Sequence, residues 1–268
     1  MQISLNTSKW YQNAWAALVF FTRLPLWRIY QPPKESYRAV VEFWPLAGWL
    51  TGGCMAATLY VGGMFFPYPV AVILAILVRL LLTGALHEDG LADFCDGFGG
   101  GGNNRQRVLD IMKDSRIGTY GVLGLSVYLA LLFLCLWNLP RRHAALLILA
   151  ADPFAKMLAS QLIQMMPYAR KEEEAKARVV YRPISMVSSI LLALQGLLPI
   201  LPLVFWAPEL LFRWELLMFI PCLVMYFLYL KIWHTLRGYT GDCCGALFLL
   251  VELSVYLTAC ALWFHYST

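Results

Sequence analysis

Seven apolar stretches restrict this chain more than any other feature: roughly Val41–Phe66, Tyr68–Leu86, Tyr120–Leu139, His143–Met165, Met186–Trp206, Trp214–Trp233 and Cys243–Phe264. A bilayer core is about 30 Å thick, so a helix of roughly 20 residues crosses it, and each stretch is near that length. Only 14% of the residues are charged, 60% are hydrophobic, and the mean hydropathy is +0.62. Soluble domains carry about 25% charged residues, and a water-soluble protein this apolar could not cover its own surface. The sequence predicts an all-α, polytopic integral membrane helix bundle of about seven spans, with six to eight open, as a single membrane domain over residues 1–268.

Pro67 and Pro69 leave only a tight turn between the first two spans. Gly48, Gly52 and Gly53, with Gly62 and Gly63, predict close helix approach. The stretch Trp10–Phe21 is short, lacks a small-residue cleavage site and is followed by Arg23 and Pro25. It reads as an interfacial or buried amphipathic helix, and no signal peptide is evident. The seven cysteines, Cys54, Cys95, Cys135, Cys222, Cys243, Cys244 and Cys260, contain no CxxC pair and read as small packing residues.

Of the 21 Lys and Arg, Arg79 and Lys156 fall within spans and only Arg141, Arg142 and Arg213 lie on one side; the other sixteen share the side of the N-terminus. The positive-inside rule makes that side cytoplasmic. It places the segment Leu86–Tyr120 and the turn Gly238–Gly245 at the cytoplasmic face. These basic residues are spread along the face, which gives nucleic-acid binding little support. The run Lys171–Arg178 mixes charges and predicts a solvated helix with pairs such as Glu172–Lys176 and Glu174–Arg178.

Six of the 16 acidic residues fall between Glu88 and Asp114. Asp89, Asp93 and Asp96 are spaced i, i+4, i+7 and share a helix face; Asp110 and Asp114 are i, i+4. Two helices presenting such faces could set five carboxylates around one cavity. Like charges that close repel, and a hard cation with oxygen ligands, Mg²⁺, resolves the conflict with one or two carboxylates, water and substrate phosphate. The alternative is a solvated acidic loop. Between the pairs, Gly97, Gly99 and Gly100 offer backbone N–H groups to a phosphate, or serve only as a hinge. Arg105, Arg107, Lys113 and Arg116 follow. They could neutralise a diphosphate or simply fix topology, and Arg116, two residues past Asp114, is the strongest functional candidate. Transfer of a phosphoryl-linked group to an alcohol needs a neutralised leaving group, an aligned nucleophile and a proton acceptor. The segment 87–119 is therefore the expected catalytic segment.

At these residues the chain resembles the cobalamin synthase family, the adenosylcobinamide-GDP ribazoletransferases. The segments His87–Gly97 (HEDGLADFCDG) and Met112–Gly121 (MKDSRIGTYG) carry the likeness. Thr22–Pro25 (TRLP), Trp44–Gly48 (WPLAG) and Thr240–Ala246 (TGDCCGA) extend it along most of the chain. The resemblance implies a transferase in the cytoplasmic (inner) membrane of a prokaryote. Such an enzyme joins adenosylcobinamide-GDP to α-ribazole or its 5′-phosphate, releases GMP, and depends on Mg²⁺. It leaves self-association, or a complex with other enzymes of cobalamin synthesis, open. The chemistry is similar to that of the CDP-alcohol phosphotransferases, whose pattern is DxxDGxxAR…GxxxDxxxD. Asp93-x-x-Asp96-Gly97 and Asp110-x-x-x-Asp114 match its ends, but Gly101 and Gln106 stand where an Arg and a Gly would be, and the gap between the pairs is shorter. That analogy implies Asp93, Asp96 and Asp110 as metal ligands and Asp114 as the base, with Glu88 and Asp89 as further ligands. Asp110 and Arg116 complete the catalytic set.

Other residues have readings of their own. Asp242 is a substrate or metal contact or a helix cap; Arg79 contacts phosphate or snorkels. Asp152 and Lys156, at i, i+4, predict a structural ion pair. His87 is a ligand or proton carrier, or neither. Two rival functions fit parts of the pattern. A membrane prenyltransferase would use the Asp89/Asp93 and Asp110/Asp114 faces to hold Mg-diphosphate. A divalent-cation transporter would line its path with Asp152 and Glu252.

Overall fold

The computed structural model describes residues 9–170, 181 and 184–267; the proposed pairs Glu172–Lys176 and Glu174–Arg178 lie outside them. The described chain is helical: α1 (Trp10–Phe21), α2 (Trp44–Phe65), α3 (Tyr68–Thr83), α4 (Leu86–Gly100), α5 (Arg105–Lys113), α6 (Thr119–Asn138), α7 (Arg141–Met165), α8 (Met186–Leu197), α9 (Leu201–Trp206), α10 (Trp214–Leu236) and α11 (Gly241–Ser267). Five segments are both long and apolar enough to cross a membrane: α6, α7, the run Met186–Trp206 through α8 and α9, α10 and α11. The pair α3 and α4 makes a sixth if taken as one span bent by 90°. α2 has the length, at 22 residues, but its glycines, threonines and tryptophans dilute its apolarity. A polytopic helical bundle is thus what the chain forms, with the span count near the seven expected.

The bend after α3 has a local cause. Gly84 and Ala85 both take left-handed conformations, φ 64° and 55°. Both N–H groups return to the carbonyl of Leu80, closing the helix as a left-handed C-cap does. A Cβ on Gly84 would meet the side chain of Arg23, whose own N–H donates to the Leu82 carbonyl at 2.7 Å. The segment after α1 therefore docks on the break and fixes the direction in which α4 leaves.

α2 packs along α7, and α11 is flanked by α4, α6, α7 and α10. The α2–α7 approach depends on small residues, as the glycine spacing predicts. A Cβ on Gly48 would lie 2.7 Å from Asp152 Oδ1 and 3.0 Å from the Pro153 backbone, and one on Gly52 would lie 3.0 Å from Asp152 Cβ. Replacing Gly48 with leucine is expected to push α2 off α7 and cost about 1–3 kcal/mol. Thermal unfolding in detergent would register this as a lower midpoint, and an unchanged midpoint would refute the tight packing.

The loops sort to two ends. Arg105, after α4, donates to the carbonyls of Ala169 and Leu236, and Tyr168 pairs with Tyr239 as an isolated bridge. At the other end Arg141 donates to the Gly63 carbonyl and His143 faces Glu209 at 3.2 Å. Among the described residues, the segments at Arg105, Tyr168–Ala169 and Leu236–Tyr239 thus meet at one end of the bundle.

Candidate active site

α4 carries the acidic face, and its three aspartates meet different surroundings. Asp89 is exposed, Asp93 is half-buried and Asp96 is buried. Asp96 accepts the Gly118 N–H at 2.7 Å and the Gly121 N–H at 2.9 Å. These amides open α6, so Asp96 caps a neighbouring helix and meets the positive end of its dipole. A Cβ on Gly121 would lie 2.4 Å from Asp96 Oδ2, so the contact leaves no room for a side chain. Expected as a metal ligand, Asp96 is placed as a helix-joining cap. Asp96→Ala would leave two N–H groups without their acceptor, with an expected loss of about 1–3 kcal/mol. Chemical denaturation would check it, and an unaltered transition would refute it.

The second acidic pair sits on α5, which turns back after Gly101–Asn104. Its Val108 and Met112 pack on Gly97, and Val108 also packs on Gly101. That packing turns Asp110 outward, where it accepts from Gln106 at 2.9 Å. Asp114 ends the helix and is bound by Arg116, the Nη2–Oδ2 distance being 2.7 Å. The Arg116 hydrogen bonds hold the Asp114 carboxyl down at about 2. The five-carboxylate cavity expected from spacing is not assembled: among the described residues no three His, Cys, Asp or Glu side chains gather as a cation site.

The glycines follow the same logic. Gly97, Gly99 and Gly100 belong to α4 itself, so their amides serve the helix ladder and do not cradle an anion. A Cβ on Gly99 would lie 2.5 Å from the Tyr120 ring, which makes this a packing glycine. The hinge reading fits Gly101 and Gly102, the latter at φ 60°. Arg105 ties α5 to α10 at the Leu236 carbonyl and to the segment after α7 at the Ala169 carbonyl, and Arg107 is exposed. Arg105, Asp110 and Lys113 line a groove completed by Gln106, Leu109, Ala169 and Arg170.

Arg79 lies inside the bundle, 2% exposed, with Nη1 2.7 and 2.9 Å from the Glu252 oxygens and Nη2 2.6 Å from Tyr128 Oη. Glu88 is also buried, 3.6 Å from the same guanidinium. Arg79 is thus committed to Glu252 and Tyr128, while Glu88 Oε2 has no hydrogen-bond partner among the described residues. Asp152 and Lys156 form the ion pair that their spacing predicts, with Thr51 beside them. The carboxylates Asp152 and Glu252, which a cation path would require free, are thus each held by a buried cation.

A cleft lies where α1, α2, α4 and α11 converge, with about 890 Å³ of space when the open solvent at its mouth is counted. Asp89 and Asp242 both line it, together with His87 and Arg170. Its walls include Phe21 and Trp44, stacked at 5.2 Å and 10°. Asp242 sits in the first turn of α11, and Thr240 accepts the Cys243 N–H at 3.2 Å, so Thr240 provides the hydroxyl cap that Asp242 was weighed for. Burial raises the phenol pKa of Tyr168 and of Tyr181, keeping both neutral on the cavity wall. Arg170 lines both this cavity and the α5 groove.

A model of the family described as cobalamin-5-phosphate synthase matches residues 13–260. The chain belongs to this family. It is 35% identical over 260 residues to an adenosylcobinamide-GDP ribazoletransferase of Vibrio vulnificus, covering 94% of this chain and 96% of that protein. Proteins of the same name from Leptospira interrogans, 30% identical over 253 residues, and Pseudoalteromonas atlantica, 37% identical over 245, cover 92% and 90% of this chain and 94% and 88% of their own. No solved structure matches.

The segments that carry the family resemblance are far apart in sequence and close in space. Trp44, His87 and Asp89, and Thr240–Asp242 all line the cavity, and the TRLP segment docks beside it at Gly84. Met112–Gly121 reaches α4 through Asp96. Charge and spacing alone miss Phe21, Trp44 and Tyr181, because apolar aromatic residues in a membrane protein read as core or interfacial belt. Arg170 registers in sequence only as topology.

Proposed function

We propose that this enzyme joins adenosylcobinamide-GDP to α-ribazole or its 5′-phosphate, releasing GMP and forming adenosylcobalamin or its 5′-phosphate. The observation that carries the reading is the cavity where the family segments meet, with two carboxylates, Asp89 and Asp242, among its lining and Arg170 between it and the basic groove. The ribazole hydroxyl oxygen attacks the phosphorus on the cobinamide side of the diphosphate. A P–O bond forms, the P–O bond to the bridging oxygen breaks, and GMP leaves with that oxygen. We assign Arg170, Arg105 and Lys113, which line the groove, to neutralising the diphosphate charge.

Asp242 shares the cavity with Asp89 and is a hard oxygen donor, and one carboxylate with water and substrate phosphate would suit Mg²⁺. When bound, Mg²⁺ supplies charge neutralisation at the diphosphate. We assign Asp89 to receive the hydroxyl proton. Asp114, first weighed for that role, is held at about 2 by Arg116, which makes it a weak acceptor. By sequence, sixteen of the 21 Lys and Arg fall on the side of the N-terminus and of the segment Leu86–Tyr120, which supports placing that side toward the cytoplasm of a prokaryotic inner membrane.

The test is GMP release by the purified protein in lipid, given adenosylcobinamide-GDP, α-ribazole phosphate and Mg²⁺. The expected result is GMP matched by cobalamin phosphate, and loss of both on chelation. No release by folded protein with either form of ribazole would overturn the reading.

A further inference from the structure

We propose that the aromatic cavity seats the base of α-ribazole, a flat benzimidazole, between aromatic walls and against the ring nitrogens of Trp44 and His87, which have no partner among the described residues. The assignment rests on the transferase reading above and names which substrate occupies this part of the site.

Phe21, Trp44 and His87 form one aromatic group, with His87 6.2 Å from Phe21 and 5.8 Å from Trp44 between ring centroids. The Phe20 and Tyr181 rings meet edge to face on the wall at 6.5 Å. Flat rings are favoured between such surfaces by stacked and edge-to-face contacts. Among the described residues, two side-chain nitrogens of this group, Trp44 Nε1 and His87 Nε2, have no hydrogen-bond partner, on residues only 2% and 4% exposed. Buried polar groups are normally paired, so these two point to a ligand that supplies an acceptor. Trp Nε1 is a donor only, and neutral His donates through one ring nitrogen.

The chemistry separates the candidates. The benzimidazole of α-ribazole has one unsubstituted ring nitrogen, an acceptor, and otherwise apolar edges. Guanine presents a row of donors and acceptors, which a mostly aromatic enclosure leaves unpaired. The corrin exceeds the enclosed part of the space. Arg170, whose Nε is also unpartnered, lines the same cavity, where a ribazole 5′-phosphate would bring acceptor oxygens. Asp89 and Asp242 then lie within the same enclosure as the ribose hydroxyls.

Equilibrium dialysis of the full protein in lipid nanodiscs, with α-ribazole as probe and no cobinamide substrate, tests this directly. The comparison ligand is the indole riboside, in which the acceptor nitrogen is replaced by C–H. The wild type is expected to bind α-ribazole roughly tenfold more tightly, the worth of one buried hydrogen bond. Trp44→Phe and His87→Phe each keep an aromatic ring and delete one N–H, and the preference is expected to vanish in one of them. Equal binding of the two ribosides by wild type, or a preference intact in both variants, overturns the assignment.

Turnover distinguishes this failure from failure of the functional reading. A rise in KM for ribazole in either variant, with KM for adenosylcobinamide-GDP unchanged, supports the assignment. The reverse pattern gives the cavity to the nucleotide and overturns it while leaving the reaction standing. No turnover by wild type overturns the reaction, and this assignment with it.

Discussion

Arg79→Met is expected to cost about 3–5 kcal/mol, the effect of removing one partner from a buried ion pair, and so to leave much of the protein unfolded in mild detergent. Whole domains are stable by only about 5–15 kcal/mol. Arg79 is 2% exposed and Glu252 is fully buried. The guanidinium contacts both Glu252 oxygens and the Tyr128 hydroxyl, while Tyr256 donates to Glu252 at 2.8 Å. Without it Glu252 keeps the Tyr256 phenol and only the charge of Lys156, which is already paired with Asp152. The damage would also reach the site. Arg79 lies on α3 before the break and faces Glu88 on α4 after it, so it holds the helix that carries Asp89 from the far side of the bend. A second variant keeps the argument testable: Arg79→Met combined with Glu252→Leu removes both charges and is expected to recover part of the lost stability. A single variant as stable as wild type in thermal unfolding, or a double variant worse than the single, would show that the pair does not act this way.

That network also marks where sequence reasoning stops. The Asp152–Lys156 pair is legible because i, i+4 on one helix is a local relation. Arg79 and Glu252 are 173 residues apart, and no period connects them. The membrane helices are legible for the same reason as the local pair: an apolar run carries its own signal, and α1, α6, α7 and α11 fall within a few residues of the expected stretches. The break between α3 and α4 is not legible. The apolar run continues through Leu86, and alanine at position 85 favours helix, yet Ala85 takes φ 55° because the docked Arg23 segment fixes the turn. On α4 the spacing of Asp89, Asp93 and Asp96 correctly reports a shared face, but which neighbour each residue meets is a tertiary fact. Asp96 meets the amides of α6, and Asp89 meets a cavity assembled from α1, α2 and α11. The convergence expected of Asp110 and Asp114 fails because α5 packs its Val108 and Met112 side inward. Acidic spacing cannot show which face of a short helix is buried, and hydrophobic spacing on α5 could have shown it.

The placement of the carboxylates separates two substitutions that spacing alone treats alike. Asp89→Asn is expected to lower kcat by about 10²–10⁴, the contribution of a positioned general base, while Asp114→Asn is expected to keep most of the activity. Asp114 has a folded-state pKa of about 2, below its ordinary 3.8, because Arg116 binds its charged form. Its charge, and the bond to Arg116, are therefore fully present above the ordinary carboxylate range and are lost only as pH falls through about 2. Between pH 5 and 9 Asp114 does not titrate, and a group that holds a proton so weakly drives little transfer in the transition state. Any acid limb of the rate profile in that range belongs to another group, and Asp114→Asn is expected to leave that limb in place. The Mg²⁺ dependence decides what Asp89 does. If it accepts the proton, Asp89→Asn lowers kcat at saturating Mg²⁺ without raising the Mg²⁺ requirement. A loss that high Mg²⁺ restores would make Asp89 a metal ligand and pass the proton to Asp242, its companion in the cavity. Loss of turnover in Asp114→Asn with Asp89→Asn active would return the base to Asp114, and would require α5 to swing toward the cavity when substrate binds.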